Sequence, residues 1–219
     1  MLSERLLAII VDSFGKILLP GILVTIPLTV ISFALALVIA LAVALIQTAQ
    51  VKGLRMLARF YVWVVRGTPL LVQLYVLFFG LPKLGIIIEP FPAAVIVFAL
   101  NTGAYDSETM RAAIASIPQG QLEAGYCVGM SYGQTMRRII LPQALRTAFP
   151  PLSNSLISLV KDTSLAANIT VVEMFMATQR IVARTYEPLY IEVGLIYLIF
   201  STVLTYWQRV GEKKLSVYR

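Results

Sequence analysis

Residues 17–51 read Ile17-Leu-Leu-Pro-Gly-Ile-Leu-Val-Thr-Ile-Pro-Leu-Thr-Val-Ile-Ser-Phe-Ala-Leu-Ala-Leu-Val-Ile-Ala-Leu-Ala-Val-Ala-Leu-Ile-Gln-Thr-Ala-Gln-Val51, 35 residues without a charge. About 20 apolar residues cross a bilayer, so this run holds one span and a turn leading into it. Pro20, Gly21 and Pro27 crowd its start, which places the hydrophobic helix over 23–47. The rest of the chain agrees. Of its 219 residues 58% are hydrophobic and 13% charged, against about 25% charged in a soluble domain. A chain this short still exposes most of its polar surface, so a large core does not account for the deficit. Lipid must be the solvent for much of it.

Further spans are expected over 56–81, with Arg66 inside, over 91–113, with Asp106 and Glu108 towards its end, over 147–167 and over 189–207. The fold class is therefore an all-α membrane protein with five transmembrane helices and its termini on opposite sides. Lysine and arginine in the loops set the orientation. Lys52, Arg55, Arg59, Arg111, Arg137, Arg138, Arg146, Arg209, Lys213, Lys214 and Arg219 fall on one side, and Arg5, Lys16, Lys83, Lys161, Arg180 and Arg184 on the other. Eleven against six puts the C-terminus in the cytoplasm and the N-terminus outside. The same asymmetry explains the net charge of +7 as an orientation signal, and no nucleic-acid partner is expected. Residues 1–16 form an N-terminal segment without a signal-cleavage pattern, 17–210 one membrane domain, and 211–219 a cytoplasmic tail. Between spans four and five, Val172, Phe175, Met176 and Val182 mark an amphipathic helix for the outer interface.

One cysteine, Cys127, and no histidine leave a metal site almost no ligands and exclude an internal disulfide. No catalytic residues and no metal are expected. The cytoplasmic loop 118–146 is more informative. It contains Glu123-Ala-Gly-Tyr-Cys-Val-Gly-Met-Ser-Tyr-Gly-Gln-Thr-Met-Arg-Arg-Ile-Ile-Leu-Pro142. Gly129 suits the left-handed end of a first short helix, and Ser131 the N-cap of a second. That second helix carries Met136, Ile139 and Ile140 on one side, and Pro142 is expected to break it. A compact amphipathic element of this kind fits a partner's groove.

The loop resembles the signature of permease subunits of bacterial ABC importers: Glu-Ala-Ala, three residues, Gly, nine residues, Ile, one residue, Leu-Pro. Glu123, Ala124, Gly129, Ile139, Leu141 and Pro142 stand at those spacings, with Gly125 in place of the second alanine. The likeness extends over nearly the whole chain. Residues 60–73, from Phe60 through Arg66-Gly-Thr-Pro69 to Gln73, look like the subgroup that imports polar amino acids, as do Asn101-Thr-Gly-Ala-Tyr105, 108–121 and 152–166. Within that subgroup the resemblance is strongest to cystine permeases. It implies the type I importer permease fold and a cleft in a dimeric ATPase subunit that receives Glu123, Ala124 and Gly129. It also implies a second permease protomer, most simply an identical copy, an extracytoplasmic amino-acid-binding protein, and a bacterial cell membrane. ATP and magnesium would belong to the partner, because this chain has no Gly-x-x-x-x-Gly-Lys-Ser/Thr loop and binds no cofactor itself.

Polar residues inside spans are costly and mark candidate paths. Asn101, Tyr105 and Glu108 align at i, i+4 and i+7, and Asn154, Ser158, Lys161 and Asp162 share a face of span four. Arg66 precedes Gly67 and Pro69, which loosen a helix and free carbonyls. The functional reading gives Arg66 the substrate carboxylate, Asp162 the ammonium group, and Asn101 and Ser158 neutral hydrogen bonds. Structural readings stand beside it: Lys161 and Asp162 pairing at the outer interface, Arg66 snorkelling or clamping a neighbouring helix, and small polar residues serving helix packing. A channel or ion-coupled carrier is the rival class. It leaves the loop unemployed, and the inverted repeats common in carriers are not evident.

Overall fold

In a computed structural model, residues 2–48, 52–185 and 189–216 are described. Met1 and 217–219, the extreme ends of the expected terminal segments, lie outside them. The described residues form helices joined by short turns. The first, α1, is one continuous rod made of Leu2–Pro20, a wide π turn at Gly21–Thr25, and Ile26–Thr48. The helix thus begins well before residue 23 and takes in the segment expected to precede the span. Its stretch Ala8–Thr48 is long and apolar enough to cross a membrane.

The expected second span is not one helix. Lys52–Arg66 (α2) and Leu70–Leu84 (α3, closing through a π turn and a 3-10 turn) meet at 104°. The cause is local. Pro69 holds an extended ψ of 138° at the start of α3, and proline cannot continue the hydrogen-bond ladder of α2. A Cβ on Gly67 would lie 2.8 Å from the Trp63 carbonyl oxygen, so this close turn needs glycine.

The centre of the bundle is Pro90–Ala115 (α4), 26 residues and about 39 Å long. Its first half is apolar, with Ala93, Ala94, Val97 and Phe98 buried, and its second half brings Asn101, Thr102, Asp106 and Ser107 inside. Small residues let α1 lie directly against it. Ala36, Ala40 and Ala44 are fully buried, and a Cβ on Gly103 would sit 2.9 Å from Ile39 Cγ2 and 3.2 Å from the Ala36 carbonyl. Close backbone approach of this kind is how helices associate where lipid gives no hydrophobic drive.

Gln119–Cys127 (α5) leads to a long helix, α6, which runs through Tyr132–Thr135, a π turn at Met136–Ile140, Leu141–Asp162 and a 3-10 end at Thr163–Ile169. Pro142 does not break it, contrary to expectation. The Leu141 N–H reaches back to the Met136 carbonyl, one residue further than in an α-helix, and the widened turn makes room for the proline ring. The same device precedes Pro27, where the Ile26 N–H donates to the Gly21 carbonyl. A π bulge next to a proline is a local adjustment that keeps the helix going.

Met174–Thr185 (α7) turns 53° from α6, and Tyr190–Ser216 (α8) closes the chain. The amphipathic helix expected on the outer interface is present as α7, but it is docked on the bundle. Met174 packs with Ile17, Val193 and Ile196. Fully buried Glu173 caps α7, accepting from the N–H groups of Phe175 (2.8 Å) and Met176 (2.7 Å) and from the Tyr197 hydroxyl (3.0 Å). Among the described residues, two helices suit a membrane crossing by length and composition, and up to four crossings result if each bent pair counts as one.

Candidate functional site

The loop between α4 and α6 folds as the spacing of its residues requires. At the end of α5, Gly129 takes φ +76°. The N–H of Met130 bonds to the Gly125 carbonyl (3.0 Å) and that of Gly129 to the Tyr126 carbonyl (2.9 Å), a Schellman closure. Ser131 and Gln134 form a full capping box at the start of α6. The signature residues divide into two groups. Glu123, Ala124 and Gly129 are exposed, together with Tyr126, Cys127 and Val128. Ile139 and Leu141 pack inward onto the cluster of Met110, Ile114, Met136, Ile140 and Ala144, while Pro142 stays at the surface. One group presents a surface and the other fixes it to the membrane helices.

On one side of the bundle, α4, α6 and the bend between α2 and α3 line an open cavity of about 630 Å³. Arg66, Asn101, Tyr105, Glu108, Asn154, Ser158 and Asp162 all line it, so seven of the eight predicted path residues meet there. Lys161 does not; it is exposed and absent from the wall. The Arg66 guanidinium lies 5.1 Å over the Tyr105 ring, and the Tyr105 hydroxyl donates to the Arg66 carbonyl at 3.4 Å. Glu108 touches the cavity but is already engaged, by Arg111 at 2.8 and 3.1 Å and by Gln47 at 3.0 Å. Asn154, Ser158 and Asp162 are exposed along α6. Polar groups so displayed on a membrane helix require an aqueous path or a protein partner beside them.

Sequence reasoning missed three contributors. Gln73 holds the bend: its Nε2 donates to the carbonyls of Val65 (2.7 Å) and Thr68 (3.1 Å) and to Thr68 Oγ1 (2.9 Å). Its Oε1 accepts from Asn101 Nδ2 at 3.1 Å. Asp106 and Ser155 also line the cavity. An intramembrane carboxylate is signal enough, but Asp106 lies off the helical face chosen through Asn101 and Glu108.

A long apolar first helix, a polar cavity at a broken span and an exposed, firmly anchored loop define a transporter's membrane subunit. Residues 32–217 match the binding-protein-dependent transport system inner membrane component family, and the chain belongs to it. The chain is 49% identical over 210 residues to the L-cystine transport system permease protein TcyB of Bacillus subtilis (strain 168), covering 94% of this chain and 90% of that one. It is 37% identical over 203 residues to the arginine transport system permease protein ArtQ of the same organism, covering 91% and 92%. A solved amino acid ABC transporter with histidines superposes with a TM-score of 0.86 at 30% identity, over 93% of this chain and 96% of that one. The expected all-α fold of the importer permeases holds.

Proposed function

We propose that this chain is the permease subunit of an ATP-driven amino-acid importer in a bacterial plasma membrane, and that its substrate is L-cystine. The cavity carries the transport reading, because it gathers polar side chains from three parts of the chain inside an apolar bundle. The 49% identity to a cystine permease favours cystine over the arginine of the more distant relative. Arg66 would take the substrate carboxylate through its two-pronged guanidinium. Asp162 would meet the ammonium group at the exposed part of the wall, with Asn101, Tyr105, Asn154 and Ser158 supplying neutral hydrogen bonds. Glu108 would hold Arg111 and Gln47 at the cavity edge, and Lys161 would lie outside the path.

The open polar side of α6 suits a second, identical protomer. The exposed face of the loop around Glu123, Ala124 and Gly129 suits an ATPase subunit, which would hold ATP and magnesium. A binding protein on the opposite face would deliver the amino acid. ATP-driven closure of the ATPase pair would then move the two loops together and switch access to the cavity.

Uptake of labelled L-cystine by cells stripped of their own cystine importers and given this system tests the reading. Excess unlabelled L-cystine should abolish it and excess L-arginine leave most of it. Displacement by arginine but not cystine would overturn the substrate. In the same assay Arg66→Ala should lower uptake by about tenfold or more, the worth of a charged hydrogen-bonded pair, while the ATPase still co-purifies. Normal uptake would remove Arg66 from the path.

A further inference from the structure

Asp106 is 2% exposed, sits in the wall of the 630 Å³ cavity, and has no hydrogen-bond donor to its Oδ2. Ser155 approaches the carboxylate from α6. A carboxylate oxygen so enclosed has lost water without gaining a partner, a cost that a structural role alone leaves uncompensated. The residue lines the cavity although Oδ2 itself is closed off, so a turn of the side chain would bring that oxygen to an incoming cation, which would supply the missing donors. Elsewhere in the same cavity wall, the Asn101 amide has only one orientation available. Gln73 Nε2 is occupied by three oxygens, so Gln73 Oε1 must face Asn101, and Asn101 must answer with its Nδ2. The hydrogen-bond network therefore fixes both amides. Asn101 Oδ1 is left as an acceptor on a residue that lines the same cavity.

We propose that Asp106, assisted by Asn101 Oδ1, is the inner ammonium-binding point of the substrate path. Its chemistry selects ligands with a primary ammonium group and rejects those in which that group is missing or acylated. This rests on the amino-acid importer reading above and refines it. Asp162 is exposed and next to Lys161, so it meets the ammonium group at the rim, whereas the buried Asp106, with one carboxylate oxygen unpartnered, holds it inside. With Arg66 on the same wall, the cavity offers a cation and an anion to the two charged ends of an α-amino acid.

The test uses the purified complex of this chain with its ATPase, without the binding protein, and radiolabelled L-cystine as the probe, with L-arginine as a second. Asp106→Asn keeps size and hydrogen-bonding capacity and removes the charge. Binding of both probes should weaken by about tenfold or more, the range for losing one charged hydrogen bond. Equal binding in the variant would overturn the proposal while leaving the importer reading intact. Absence of amino-acid binding to the wild-type complex would overturn both. A measurement on the wild type avoids any folding defect of the variant: N,N′-diacetyl-L-cystine, whose nitrogens carry no charge, should fail to displace L-cystine at a hundredfold excess. Effective displacement would sink the ammonium site whatever the variant does.

Discussion

Gly125→Ala is expected to cripple this transporter, although alanine is what the importer signature carries at that position. A Cβ there would lie 2.5 Å from both Cγ2 and Oγ1 of Thr135 and 3.1 Å from its Cβ. Thr135 cannot swing aside. It is fully buried, and its hydroxyl donates to the Ser131 carbonyl at 3.1 Å. The added methyl therefore pushes α5 away from the start of α6, and the exposed face carrying Glu123, Ala124 and Gly129 moves with it. Overpacking of this kind costs about 1–3 kcal/mol, or a factor of roughly 5 to 150 in the population of the docked geometry. Co-purification of the ATPase should fall accordingly, and uptake with it. The double variant Gly125→Ala, Thr135→Ala removes both 2.5 Å contacts and should recover most of the ATPase. If the single variant retains full ATPase and uptake, the α5–α6 contact does not set the docking surface.

The loop shows how far the sequence can be read. Gly129 as a left-handed helix end and Ser131 as an N-cap follow from the chemistry of single residues, and both are found. Pro142 was misread because its effect depends on whether the preceding turn can widen, and the Met136–Ile140 turn does. Gly125 stands where the importer signature has alanine, and the sequence alone does not say why. Its necessity comes from Thr135, ten residues on, and a contact between two elements leaves no local mark. The broken second span falls between these cases. Gly67 and Pro69 announced a weakened helix, but not that the chain would turn by 104° and aim Gln73 back at the break.

The cavity was legible in the same partial way. Helical periodicity picked Asn101, Tyr105 and Glu108 from α4 because it assumes that one face of a helix meets the path. Thr102, Asp106 and Thr109 belong to a neighbouring face and line the cavity as well, since α4 is surrounded and the opening wraps around it. Engagement is also invisible in one dimension. Glu108 is satisfied by Arg111 and Gln47, the second of which comes from α1, whereas Asp106 Oδ2 has no donor. Their sequence positions differ by two residues and give no hint of that difference.

Gln73→Leu should abolish most uptake even though Gln73 is no part of the 630 Å³ cavity wall. The substitution preserves bulk and deletes four hydrogen bonds at once: three that satisfy oxygens at the bend and one that holds Asn101. The half-buried Val65 carbonyl and the exposed Thr68 carbonyl lose their side-chain donor, at about 0.5–1.5 kcal/mol for each hydrogen bond. The bend can then relax towards a straighter helix, carrying Arg66 away from Tyr105, while Asn101 is free to flip its amide. Two comparisons separate these consequences. Thr68→Val removes one of the four bonds and should lower uptake by no more than a few-fold. Asn101→Ala keeps the bend but not the cavity acceptor, so it should weaken amino-acid binding while leaving the helix geometry intact. Spin labels on α2 and α3 would read that geometry directly, with an altered separation expected for Gln73→Leu and an unaltered one for Asn101→Ala. Wild-type uptake and spacing in Gln73→Leu would mean that Gly67 and Pro69 alone maintain the break, and that the glutamine does not link it to the path.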